Sequence, residues 1–147
     1  MIRKLQRYEQ TISAGLILAK EAVLSPLRPR LRENAITEPQ WRVMRVLNDR
    51  GKTDATALAE VALLHAPSVT RILKELETRG IVAREDDPDD KRRALAELTP
   101  RGRELFRLVA RDVRRVMNEY AERFGADRLD RLLTELQALT AAIKGVE

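Results

Sequence analysis

Ser68, Thr70 and Arg71 stand together just after Pro67, and Lys74 follows one turn later. Two hydroxyls, a guanidinium and an ammonium on one short stretch can meet base edges in a groove and pair with phosphates. Further along, Asp87, Asp90, Arg92 and Arg93 crowd into a polar turn. A carboxylate there can hold an arginine extended, so that its guanidinium enters a narrow, electronegative minor groove. Both sets point to nucleic-acid chemistry. Each also has a plainer reading. Any solvated helix face carries such residues, and a charged turn needs no ligand.

Covalent and acid–base chemistry has little to work with. The chain has no cysteine and a single histidine, His65. That excludes a disulfide framework, a thiolate metal site, a cysteine redox switch and a His-rich cage. No glycine-rich phosphate loop and no nucleophile with a paired base is present. The expectation is a protein that is not an enzyme and takes no cofactor or metal. The net charge of +5 over 147 residues suits an anionic partner. The excess is not in the middle, however. Residues 1–36 carry seven basic and three acidic side chains, residues 37–100 eleven and twelve, residues 101–147 ten and eight. A nucleic-acid surface in the middle must therefore rest on particular residues. No apolar run approaches the roughly 18 residues of a membrane span. Neither span nor signal peptide is expected, and the expected compartment is the cytoplasm.

The elements that must position these groups are mostly helical, as the Leu, Ala, Arg and Glu content favours. Apolar residues at three- and four-residue steps from Leu5 to Leu27 predict a long helix over 5–32, kinked or ended by Pro26 and Pro29. Thr37-Glu38-Pro39-Gln40 is a capping box with an early proline, and opens a helix whose stripe is Trp41, Met44 and Leu47. A short helix capped by Thr53 or Asp54 follows. The next helix, 67–79, starts at Pro67 and stops at Gly80, burying Val69, Ile72, Leu73 and Leu76. Residues 81–84 and 95–98 predict two short strands joined by the charged turn, a hairpin. Thr99-Pro100 starts a helix with a stripe from Leu105 to Phe124, and Leu129 to Ile143 line a last one.

Helix, short helix, turn, helix and β-hairpin in this order make a winged helix-turn-helix. The fold class expected is mainly α with a small β-hairpin wing, the winged domain spanning 37–100 between helical stretches at 1–36 and 101–147. The helix at 67–79 is shaped to enter a major groove, so Pro67, Ser68, Thr70, Arg71 and Lys74, with Asp90, Arg92 and Arg93 on the wing, are the candidate DNA-binding residues. The Leu129–Ile143 stripe offers more apolar surface than a lone domain needs, though packing in the chain's own core would also use it.

The sequence resembles the MarR family of transcriptional regulators. The matching residues are Thr37 to Met44, Ser68 to Gly80, the wing Asp87-Pro88-Asp89-Asp90-Lys91-Arg92-Arg93, and Leu98-Thr99-Pro100-Arg101-Gly102. Ala19 to Ala22, Ser25 with Arg28-Pro29, and Thr37 to Trp41 resemble its homoprotocatechuate-type (HpaR-like) branch, repressors of aromatic-acid breakdown genes. Lys20 stands where that branch has Arg, and Ala96 where a larger β-branched residue is usual on the wing strand. The resemblance implies a homodimer, joined through a helical dimerisation region of 1–36 and 101–147, on a palindromic double-stranded operator and released by a small aromatic or phenolic carboxylate. Ser25 and Arg28 near the end of the first helix, Trp41 and Met44 on the second, and His65 before the reading helix are the candidate ligand-binding residues. A lone tryptophan is also an ordinary core residue, and Arg28 could simply cap a helix C-terminus. A helical architectural protein that binds DNA by charge alone, without an inducer, is the rival reading.

Overall fold

The computed structural model describes residues 5–146. Residues 1–4 and 147, the ends of the expected dimerisation region, lie outside them. The described residues form seven α-helices, one 3-10 turn and a three-stranded sheet. The chain divides into two compact units, Met1–Ala110 and Arg111–Glu147.

In the first unit the expected long helix over 5–32 is broken. A 3-10 turn at Tyr8–Gln10 precedes α1 (Ile12–Leu24), and α2 (Leu27–Arg32) follows. Thr11 starts α1 by accepting from the Ala14 N–H at 3.2 Å. A capping residue leaves the apolar spacing intact, so the stripe from Leu5 through Ile12 reads straight across the break. Leu27, Leu31 and Ile36, which sequence places with the dimerisation region, are buried in this unit. α2 packs on α3 (Glu38–Arg50), and the capping box that starts α3 is complete. α3 buries Trp41, Val43, Met44, Val46 and Leu47. The Trp41 ring stacks on Phe106 with centroids 5.0 Å apart.

A two-residue strand, β1 (Thr53–Asp54), is an element that sequence reading missed, because two residues leave no periodicity. Asp54 is the cap of α4 (Ala55–Ala62) and accepts from the Ala57 N–H at 2.9 Å. Then comes α5 (Ala66–Thr78), with Val69, Ile72, Leu73 and Leu76 buried. Gly80, at φ +70°, ends it: the Ile81 N–H reaches the Leu76 carbonyl and the Gly80 N–H reaches that of Glu77, both at 2.9 Å. β2 (Val82–Asp86) and β3 (Ala94–Leu98) form the hairpin, with Arg84 opposite Ala96. The sheet order is β1-β3-β2, all antiparallel, so β3 is central. Ala96 is buried there between Thr53 and Arg84.

The Leu98-to-Gly102 motif is a joint. Thr99 Oγ1 donates to the Gly80 carbonyl at 2.6 Å and accepts from the Gly102 N–H at 2.9 Å. A Cβ on Gly102 would sit 2.0 Å from the Ile81 carbonyl oxygen. Only glycine lets α6 (Pro100–Phe124) start this close to the Ile81 backbone that follows α5. The division between the units falls within α6.

The second unit holds the rest of α6 and α7 (Ala126–Ile143). Val113 and Val116 are buried, but no residue of α7 is. Gly125, at φ +103°, makes the turn between the helices, and the Arg128 guanidinium lies 4.1 Å over the Phe124 ring.

Candidate functional site

α5 divides its residues cleanly. Its apolar side packs inward, while Pro67, Thr70, Arg71 and Lys74 are exposed and Ser68 is half-buried near its start. Thr70 donates its hydroxyl to the Ala66 carbonyl at 3.1 Å, which leaves its lone pairs available as acceptors. Arg71 is 72% exposed, with Nε 4.0 Å from Glu75 Oε1. These groups can meet base edges and phosphates without first being unburied.

Arg42 ties α3 to the turn between α4 and α5. It forks onto Glu38 at 2.7 and 2.8 Å and donates to the carbonyls of Ala62 at 3.2 Å and Leu63 at 3.3 Å. Leu63 holds φ +57°, a left-handed conformation that favours glycine, so the turn between α4 and α5 needs such a tie. Sequence reading passed Arg42 over. The signal was there in the Glu38–Arg42 spacing of four.

The wing differs in one respect from the expectation that Asp90 holds the Arg92 guanidinium. Asp90 accepts from the backbone N–H of Arg92 at 3.1 Å, and its carboxylate lies 3.6 Å from Arg93. Arg93 also reaches Asp54 at 3.5 Å. The carboxylate thus shapes the turn and anchors Arg93 near the sheet. The Arg92 guanidinium has no ion pair among the described residues. It lines a notch of about 160 Å³ with Arg84, Arg93 and Asp54. Arg84 is tied to Glu77 at 3.1 Å, and Lys52 pairs with Glu85, whose hydrogen bond holds the ammonium pKa above its ordinary value.

The five candidate ligand residues do not gather in one pocket. Arg28 lines an open groove of about 440 Å³ with Arg32, Ile36, Thr37, Glu38 and Pro39; Ser25, Trp41, Met44 and His65 do not line it. Trp41 is 6% exposed against Phe106, and Met44 is fully buried in α3. Both are core in this chain. His65 is exposed as the N-cap of α5 and makes no side-chain capping bond. Ser25 ends α1. Arg28 forks onto Glu21 at 2.5 and 2.9 Å, and that hydrogen bond lowers the Glu21 carboxyl below its ordinary range against a smaller opposing effect of burial. The Arg32 guanidinium has no ion pair among the described residues. Arg28 and Arg32 are four apart on α2, a spacing that puts both on one face and could have flagged the groove.

The sequence profile of the MarR family matches residues 36–94. The chain is 35% identical to the HTH-type transcriptional regulator FarR of Neisseria gonorrhoeae, covering 95% of this chain and 94% of that protein. It is 29% identical to the homoprotocatechuate degradative operon repressor of Escherichia coli, over 89% and 88% of the two chains. Its fold superposes on the crystal structure of NadR in complex with 4-hydroxyphenylacetate with a TM-score of 0.79. The two are 32% identical, over 99% of this chain and 100% of that one.

Proposed function

The chain belongs to the MarR family of transcriptional regulators, and from that premise we propose that it is a dimeric, sequence-specific repressor released from a palindromic operator by a small aromatic carboxylate. The observation that carries the DNA half is α5. One face is locked into the core and the other presents Ser68, Thr70, Arg71 and Lys74 to solvent. Arg71 and Ser68 read bases in the major groove, Lys74 meets phosphate, and Arg92 on the wing enters the adjacent minor groove. Pro67 starts the helix, and Asp90 and Arg93 shape the wing.

Support for a dimer comes from two helices with no buried residue. α1 exposes Ile12, Ile17 and Leu18, and α7 exposes Leu132, Leu133 and Ile143. Apolar stripes on two helices are more than a soluble monomer ordinarily leaves to water. A second copy of the chain covers them.

The ligand half rests on the groove. It offers guanidinium groups from Arg28 and Arg32 and apolar walls from Ile36 and Pro39, the mixture an aromatic acid needs. Arg28 must share or exchange Glu21 to take a carboxylate, whereas Arg32 need not. This moves the carboxylate partner from Arg28 alone to the Arg28–Arg32 pair. Release requires the ligand to prefer a geometry that fits DNA poorly. A tenfold loss of operator affinity takes only about 1.4 kcal/mol of such preference.

Footprinting on the DNA upstream of the protein's own coding sequence, with and without 4-hydroxyphenylacetate and related acids, tests the whole. A protected palindrome that reopens with an acid is expected. Arg71→Ala should narrow the affinity gap between operator and random DNA. Equal losses on both would make Arg71 a phosphate contact. Binding with no preferred sequence would favour the architectural reading.

A further inference from the structure

Side-chain bonds tie the reading helix to the groove wall at one place and to the turn just before it at another. Arg79, at the end of α5, donates to the carbonyls of Ala35 at 2.7 Å and Asn34 at 3.4 Å. The second tie is Gln40, a polar residue only 6% exposed. Its Oε1 accepts from the backbone N–H of Thr37, a groove residue, at 3.0 Å. Its Nε2 donates to Glu75 Oε2 at 3.0 Å. The two partners leave the amide one orientation, since an N–H must face its oxygen and a carboxylate its NH₂. The other oxygen of Glu75 lies 4.0 Å from Arg71 Nε.

We propose that Gln40 and Glu75 are positioning residues that keep Arg71 available for base reading and carry the state of the groove to it. The positioning rests on Arg71 reading bases, which Arg71→Ala tests separately; the transmission rests in addition on the groove being the ligand site. Thr37 to Gln40 are one stiff piece, because the capping box and Pro39 fix its backbone. A group seated against Thr37, Glu38 or Pro39 displaces Gln40 with that piece. A shift of about 1 Å takes a hydrogen bond beyond useful length. Glu75, released by Gln40, then tightens its 4.0 Å i, i+4 pair with Arg71 to hydrogen-bond distance. An arginine held by its own carboxylate has lost the donors that a guanine edge would use. The groove thus acts on sequence discrimination through Arg71.

The test uses Gln40→Glu. A glutamate keeps the capping box, so α3 should start as before. It loses the donor to Glu75 and pushes that carboxylate toward Arg71. Operator and random DNA are titrated at one salt concentration, since phosphate contacts make affinity salt-dependent. The ratio of the two affinities should fall about tenfold, equal to about 1.4 kcal/mol. The double variant Gln40→Glu with Glu75→Gln restores a donor and acceptor in reversed order, and the ratio should recover. A ratio unchanged in Gln40→Glu, or unrecovered in the double variant, overturns the positioning role. Calorimetry with 4-hydroxyphenylacetate then reads transmission. The wild type should bind the acid more weakly when operator is bound. Gln40→Glu should bind it alike with and without operator. Persistence of the wild-type difference in Gln40→Glu overturns transmission. If the wild type does not bind the acid, the inducer reading of the groove and the transmission that rests on it fall together, and the affinity ratios still decide the positioning role.

Discussion

Arg92 and Arg93 are neighbours with different work. Arg93 is spoken for by Asp54 and Asp90, while Arg92 faces solvent without an ion pair among the described residues. The proposed minor-groove contact is therefore assigned to Arg92. Arg92→Ala should weaken operator binding by about 1–3 kcal/mol, the scale of one specific polar contact at DNA. Mobility-shift titration measures it, and unchanged affinity would remove the wing from recognition. Asp90→Ala should weaken binding too, by a different route. It removes the acceptor for the Arg92 backbone N–H and one anchor of Arg93, so the turn loosens around both arginines. Its effect should therefore be smaller than that of Arg92→Ala and should diminish when both changes are combined.

Two joints between elements carry predictions of their own. Gly102 lies where the start of α6 meets the Ile81 backbone between α5 and β2, and its absent side chain is the reason they can meet. Gly102→Ala would drive a Cβ into the Ile81 carbonyl, a backbone atom with no rotamer to escape by. Overpacking of this kind destabilises by about 1–3 kcal/mol, which urea unfolding would show as a lower midpoint. The second joint is that of α1 with α2, held by Glu21 and Arg28. The folded-state pKa of Glu21 lies below its ordinary value, chiefly through the hydrogen bond from Arg28. A depressed carboxyl contributes stability that is present above its unfolded pKa. That contribution is lost as pH falls through the folded one. Thermal melts across the acid range should therefore drop less steeply in Arg28→Ala than in the wild type. Parallel curves would mean that the ion pair adds nothing to the fold, as many exposed pairs do not.

At the scale of the molecule, the question is what covers α1 and α7. Leu132 is 45% exposed in the single chain. A glutamate there should leave the chain's own core intact. In a dimer seam the same charge would be desolvated without a partner, which is costly. Leu132→Glu should therefore shift the protein to monomer by sedimentation at micromolar concentration while its helical circular dichroism persists. A wild type that sediments as a monomer would count against the dimer. Loss of helix together with the dimer would mean that α7 folds only against a partner.

Much of this protein was legible in residue order because its signals are local. The capping box at Thr37, the proline that starts α5, Gly80 at its end and the apolar steps of α5 each act over one or two turns of chain. A sequence displays such distances directly. Two-residue β1 and the break at Thr11 were not legible, since neither disturbs an apolar period. That the five candidate ligand residues do not line one groove has a different reason. Ser25, Arg28, Trp41, Met44 and His65 were joined by chemical type and by nearness to helix ends. Which way Trp41 and Met44 turn depends on packing against Phe106 and the rest of the core. The partners of Gln40 and Arg79, Glu75 and the turn at Asn34–Ala35, lie 35 to 45 positions away in sequence. Only the fold brings them within hydrogen-bond reach. Local order determined the helices, the exposed face of α5 and the hairpin. Tertiary structure decided which arginines are already engaged, which aromatic residue is core, and how the groove is tied to α5, because long-range packing sets the partners of a polar group.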